Sequence, residues 1–250
     1  MASTPPTIFS IRRKISRKAR AERIIEQCET ASFLLDHMVE DVHERLAFLN
    51  YQPTQVLLDG FGSAGIAEGP WNHAASFRSL GSPDFDTPAD CEAASFNLVA
   101  SLNSLDKVND LPGALIQMRE LLAPGGLAIA SFIGGSSLMK LRQIMLAADG
   151  DRPAARMHPL VDPRSCPQLL GRAGWRNPVV DSCALKVRYS SLGRLVQDLR
   201  EQAMGNVLAS HAPPLTRAGL ERAQAAFTDL ADEDGKLTET FEIVTLTGWR

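Results

Sequence analysis

Three apolar residues, Val56-Leu57-Leu58, run into Asp59 and then into Gly60-Phe61-Gly62-Ser63-Ala64-Gly65. An apolar run that ends in an acid and a glycine turn is how a buried parallel strand delivers its carboxyl end to a nucleotide-type ligand. Glycine lets backbone approach a ligand closely, and the acid can accept hydrogen bonds at the loop. Asp59, Gly60, Gly62 and Gly65 are therefore candidate cofactor-binding residues.

Two further apolar runs fit the same plan. Residues 94–102 read as a second buried strand, and its last residues, Ser101 and Leu102, join the candidate site. A helix is expected over 110–122, with Leu111, Ala114, Leu115, Met118 and Leu121 on one face. Asp110 can cap it, and Pro112 falls in its first turn. Ala123-Pro124-Gly125-Gly126 stops it, and 127–132 reads as a third strand. Strand, helix and strand in succession make a βαβ unit, so this part of the sheet should be parallel.

Before the first strand, 8–50 reads as a helical cap behind a tail at 1–7. Leu34, Met38, Val42, Leu46 and Leu49 recur at helical spacing, and Pro53 ends the run. Ile8, Ile11, Ile15 and Ala19 share one face of the first cap helix. Its other face carries Arg12, Arg13, Arg17, Arg20 and Arg23. The plainer expectation is a solvated basic face; the sharper one is a surface for an acidic partner, RNA or an anionic membrane surface. Later in the chain, Gly134-Gly135 should open a helix running to about Ala147, and 166–174 a short helix ending in glycine. Strands are expected at 183–190 and 238–247. The stretch between them, 191–232, reads as helical with a break at His211-Ala212-Pro213-Pro214, and should fold back as a lid or an oligomer face.

The chain has 250 residues and a formal charge of −3, a balance that argues against bulk nucleic-acid binding. Its four cysteines are far apart and form no CxxC, which suggests neither a zinc site nor a disulfide framework and suits the reducing cytoplasm. No apolar run approaches the ~18 residues of a membrane span. His37 and His43 do not share a helix face, so no metal pair is expected there.

Several segments together resemble the class I S-adenosylmethionine (SAM) dependent methyltransferase family. They are the acid–glycine turn, Val108-Asn109-Asp110-Leu111-Pro112-Gly113-Ala114-Leu115, Phe132-Ile133-Gly134-Gly135, Arg172-Ala173-Gly174-Trp175, Asp198-Leu199-Arg200, Asn206, and Thr240-Phe241-Glu242-Ile243. The match is similar to proteobacterial proteins related to the mitochondrial complex I assembly factor of methyltransferase type, and more remotely to the biotin-pathway malonyl-carrier methyltransferase. The resemblance implies an α/β fold: a reduced Rossmann-like methyltransferase sheet over 51–250, with the N-terminal helical cap and a C-terminal helical insertion at 191–232. It implies SAM as cofactor and an acceptor that is a protein side chain.

The chain departs from the family pattern in four places. Phe61 and Ser63 stand where the family turn has its inner glycines. Gly69-Pro70 interrupts the helix that should follow, so a displaced helix is expected from Pro70, with Trp71, Ala74, Ala75 and Arg78 on adjoining turns. The span from Asp59 to Phe96 is short of the roughly 50 residues a full fold needs, so about one βα unit should be missing on the ribose side. Asp84 and Asp86 are the candidates to replace the lost ribose acid. Finally, Asp106-Lys107 replaces a His-Trp pair of relatives and reads as a solvated charged pair. Two functions follow: a SAM-dependent methyltransferase, or a catalytically degenerate member that works as a binding or assembly scaffold with weak or no hold on SAM.

Overall fold

The computed structural model describes residues 7–27, 30–69, 75–80, 85 and 91–250. Strands β1 (Gln55–Asp59), β2 (Ser76–Ser79), β3 (Phe96–Leu102), β4 (Leu122–Ile133), β5 (Arg176–Tyr189) and β6 (Leu237–Trp249) form one sheet. Their order is β2-β1-β3-β4-β6-β5. The first four are mutually parallel, and β6 runs antiparallel to both β4 and β5. The three strands expected at 55–59, 96–102 and 127–132 are thus parallel neighbours, with Asp59 at a carboxyl end.

Strand alternation sorts the core into two layers. Val56, Leu58, Leu98, Ala100, Leu127 and Ile129 face one side, where they meet Leu34, Met38, Val42 and Leu46. These last belong to the cap helix α2 (Phe33–Phe48). Leu57, Val99, Ala128, Ala130 and Phe132 face the other side, against α3 (Leu111–Leu121) and α5 (Cys166–Ala173). A fully buried leucine contributes roughly 1.5–3 kcal/mol, so this alternation fixes the register. Asp110 caps α3 as expected, accepting from the Gly113 N–H at 2.9 Å.

The remaining helices are α1 (Ile11–Ile25), α4 (Met139–Asp149), α6 (Leu192–Glu201) and α7 (Arg217–Asp229). The insertion between β5 and β6 does fold back: α6 packs on α1 and α7 on α4. It is not helical throughout, because 202–216 is a connecting loop rather than a brief break. β5 also starts well before residue 183, since it pairs with β6 along its length.

Three expectations need correction. The helix expected from Gly134 begins at Met139, because the backbone of 134–138 bonds to β6 instead: Gly134 N–H to the Glu242 carbonyl at 2.7 Å and Leu138 N–H to that of Thr240 at 3.0 Å. The Glu239 carboxylate then accepts from the Leu141 N–H at 2.8 Å and caps α4. The helix expected to carry Ala75 and Arg78 is absent there, since Arg78 lies in β2, paired with Leu57. Pro70, Trp71 and Ala74 fall outside the described residues. The third correction concerns α1. Its isoleucines face outward, with Ile15 44% exposed, whereas Lys14 is 8% exposed and Ala21 fully buried. The basic face is partly turned inward.

Several family-like residues hold the frame. The Trp175 indole N–H donates to the Leu115 carbonyl at 2.9 Å. The Asn109 amide oxygen accepts from the Ile8 and Phe9 N–H groups, each at 2.8 Å, and so pins the start of the cap.

Candidate functional site

The carboxyl ends of β1 and β3 bring six of the eight candidate residues together. Asp84 and Asp86 lie outside the described residues. Asp59 is fully buried and accepts from the Ser101 hydroxyl at 2.6 Å, so this carboxylate is engaged within the sheet. Gly60 and Gly62 both have positive φ, +90° and +88°. A Cβ on Gly60 would sit 1.8 Å from the Leu102 carbonyl oxygen. The loop backbone therefore lies directly on the end of β3, where a ligand would otherwise pass. Gly65 falls in a 3₁₀ turn, Ser63–Glu68, and packs against Val39 of α2.

Phe61 occupies the rest of that space. Its side chain clusters with Ala21 of α1, Leu35 of α2 and Ala203 after α6. Cap, loop and insertion are thereby joined over the sheet ends. What remains between Gly60, Phe61, Asn103, Ser104 and the α1 residues Lys14 and Ile15 is a cavity of about 40 Å³. Sites for small molecules occupy roughly 300–1,000 Å³, so the described residues do not fit an adenosyl group here.

A larger chamber of about 340 Å³ lies beside it, under α6 and the loop that follows. Leu138, Leu141, Leu160, Val196 and Leu199 give it apolar walls, and Arg17, Arg20, Arg200 and Lys107 bring charge to it. None of Asp59, Gly60, Gly62, Gly65, Ser101 and Leu102 lines it.

Asp106 and Lys107 were expected in water, but they are 3% and 6% exposed and form part of the chamber wall. The Lys107 ammonium donates to the Asn103 side-chain oxygen at 2.8 Å and lies 3.6 Å from the Asp106 carboxylate. A buried ammonium needs such partners, because desolvation costs several kcal/mol per ion. His158 is also in the wall, buried and edge-on to Phe9 with ring centroids 5.8 Å apart. Burial, with help from Lys107 and Arg142, lowers its pKa to about 4 against the pull of Asp106.

The sequence pattern does not single out His158, Arg156 or Arg200 as site residues. Asn206, known only from the resemblance, ties the chamber loop together: its amide donates to the carbonyls of Ala155 and Arg156 at 3.2 and 2.7 Å. Gln202 fastens α6 to the cap. It is fully buried, and its side-chain oxygen accepts from the Leu34 N–H at 2.9 Å while its backbone carbonyl accepts from the Asn103 amide at 2.9 Å. Gln202→Leu orphans the Leu34 N–H and should cost about 2 kcal/mol. At about 2–4 °C per kcal/mol this is a fall in Tm near 5 °C, readable by calorimetry. An unchanged Tm would show that the clamp contributes nothing.

The sheet order, the site at the carboxyl ends and the antiparallel final pair make this the class I SAM-dependent methyltransferase fold. It is similar to the YcgJ protein of Bacillus subtilis, with a TM-score of 0.53 at 9% identity over 86% of this chain and 98% of that one. It is similar also to a candidate methyltransferase of Bacillus halodurans, with a TM-score of 0.51 at 9% identity over 83% and 97%. At such identities the likeness concerns the fold. No family model matches the chain.

Among curated proteins, the chain is 31% identical over 179 residues to arginine-hydroxylase NDUFAF5, mitochondrial, of Danio rerio, covering 66% of this chain and 56% of that protein. The human counterpart is 32% identical over 159 residues, covering 62% and 46%. The chain thus spans about half the length of these relatives. A malonyl-acyl-carrier-protein O-methyltransferase of Gallionella capsiferriformans aligns over 97% of this chain and 92% of its own at 25% identity. The resemblance seen in the sequence therefore holds: the chain is similar to those proteins and has the methyltransferase-type fold.

Proposed function

We propose that this chain is a non-catalytic methyltransferase-type protein, a binding or assembly scaffold. The observation that carries this reading is the Phe61 ring seated among Ala21, Leu35 and Ala203, which leaves about 40 Å³ at the sheet ends. Gly60 pressed on the Leu102 carbonyl supports it too. The described residues do not fit SAM at this groove, so they offer a methyl donor no seat.

The outward stripe of Ile8, Ile11 and Ile15 supports a protein partner, because adjoining exposed apolar residues mark interaction surfaces. Arg12, on the exposed side of the same helix, suits an acidic contact on that partner. Arg13 is engaged internally, donating to the Leu208 carbonyl at 2.9 Å. Among the described residues no helix is long and apolar enough to cross a membrane. Among the described residues Cys91, Cys166 and Cys183 are free thiols, which accords with a reducing compartment such as the cytoplasm.

The alternative, a SAM-dependent enzyme acting on a protein side chain, draws on the relatives' activities and on the acid–glycine turn at the carboxyl end of β1. Thermal denaturation separates the two. A ligand at a hundredfold excess over its Kd stabilises by about 2.7 kcal/mol, which at this size is a rise of roughly 5–10 °C. The scaffold reading expects no rise with SAM or S-adenosylhomocysteine at millimolar concentration. A rise of that size restores the enzyme.

A further inference from the structure

We propose that the chamber under α6 binds a small aliphatic carboxylate, its chain against the leucine walls and its head among the arginines at the mouth. At about 340 Å³ the chamber has the size of a small-molecule site. The apolar side is built from two distant segments, Leu138 and Leu141 beneath, Val196 and Leu199 above.

The charged side of the chamber gathers several cations around one space. Some arginines are ion-paired: Arg45 with Asp41 and Asp181, Arg194 with Asp198 and, within the chamber lining itself, Arg156 with Asp149. Arg17, Arg20 and Arg200 converge on the chamber with no carboxylate within ion-pairing distance among the described residues. Arg17 donates its Nε to the Asn206 carbonyl at 3.4 Å. Burial, then repulsion from Arg20, Arg13 and Arg200, depresses its pKa. An anion at the mouth relieves that repulsion, and the planar guanidinium fork matches a carboxylate. The Asp106 carboxylate in the wall is offset by Lys107 at 3.6 Å, so it does not cancel the mouth's charge.

The lining also narrows the ligand class. Among the described residues it contains no phenylalanine, tyrosine or tryptophan, and the His158 imidazole in its wall is already edge-on to Phe9. An unbranched chain with one anionic head satisfies both halves.

Carboxylate binding in the chamber is independent of the fate of the cofactor groove. The test is calorimetric titration of the full chain with octanoate, octanol and inorganic phosphate, with SAM titrated in parallel. Octanoate should bind at least tenfold tighter than octanol and tighter than phosphate. Arg17→Ala with Arg200→Ala should weaken octanoate at least tenfold while leaving octanol unchanged. Leu199→Trp, which fills the chamber, should abolish uptake. Absence of octanoate binding, equal binding of octanol, tighter binding of phosphate, or indifference to the arginine pair overturns the proposal. Should Leu199→Trp fail to fold, the arginine pair still decides, since both side chains lie at the mouth and not in the core. SAM uptake alongside octanoate would end the scaffold reading and leave this one standing.

Discussion

Gly60→Ala should destabilise the protein by about 4 kcal/mol or more, a fall in Tm on the order of 10 °C. The new methyl would lie 1.8 Å from the Leu102 carbonyl oxygen, a backbone atom that no rotamer change can move away. It would also hold φ at +90°, where a side chain is strained. Gly125→Ala is the matched control. Its φ is +75°, yet nothing lies within 4 Å of the added Cβ, so only the backbone strain of about 1–2 kcal/mol remains. The difference between the two, measured by urea unfolding, isolates the close approach of the β1 loop to β3. Equal losses would mean that the loop does not rest on β3.

Acid should weaken the fold through His158 at about neutral-to-acid pH, before most carboxylates titrate. Its pKa is depressed from 6.5 to about 4 by burial first, then by Lys107 and Arg142. The sign follows from proton counting. Between these values the unfolded chain binds a proton that the folded chain refuses, so stability rises with pH. The contribution is complete above about pH 6.5 and is lost as pH falls toward 4. At ~1.4 kcal/mol per pKa unit the loss is about 3 kcal/mol. Urea unfolding of the wild type and of His158→Leu across this range gives the test. The variant should lose the slope of up to one proton, and parallel profiles would show that His158 is not held neutral.

The strands β1, β3 and β4 could be read from the sequence because each is a continuous apolar run closed by turn residues, and alternation assigns their faces. Helix α3 was equally legible, since its cap, proline and stop signal are local. The short strand β2 was not. Ser76-Phe77-Arg78-Ser79 has no strong pattern of its own and is a strand because β1 pairs with it. The burial of Asp106 and Lys107 was hidden for the same kind of reason. Beside the local bond to Asn103, it depends on α1 and the insertion covering the turn, and those contacts are remote in sequence. In α1 the pattern pointed the wrong way. Isoleucines normally face a core, but the surface offered to α1 includes the carbonyls of Asn206 and Leu208, which take arginines.

The candidate site divides along the same line. The acid–glycine turn was visible as a motif, and the misplacement of Phe61 and Ser63 within it was visible too. That Phe61 would fill the groove, and that Asp59 would turn to Ser101, depend on tertiary packing. The chamber gathers side chains from α1, the turn after β3, α4, the 156–160 loop and α6. The signal that could have found it was Arg200 and Asn206 in the segments that resemble the methyltransferase family.

A closed cofactor groove in a methyltransferase fold is the central claim, and isothermal titration of the wild-type chain with SAM tests it most directly. No saturable heat is expected up to millimolar SAM, a binding free energy weaker than about −4 kcal/mol. Saturable one-site binding at micromolar SAM, near −8 kcal/mol, would contradict it.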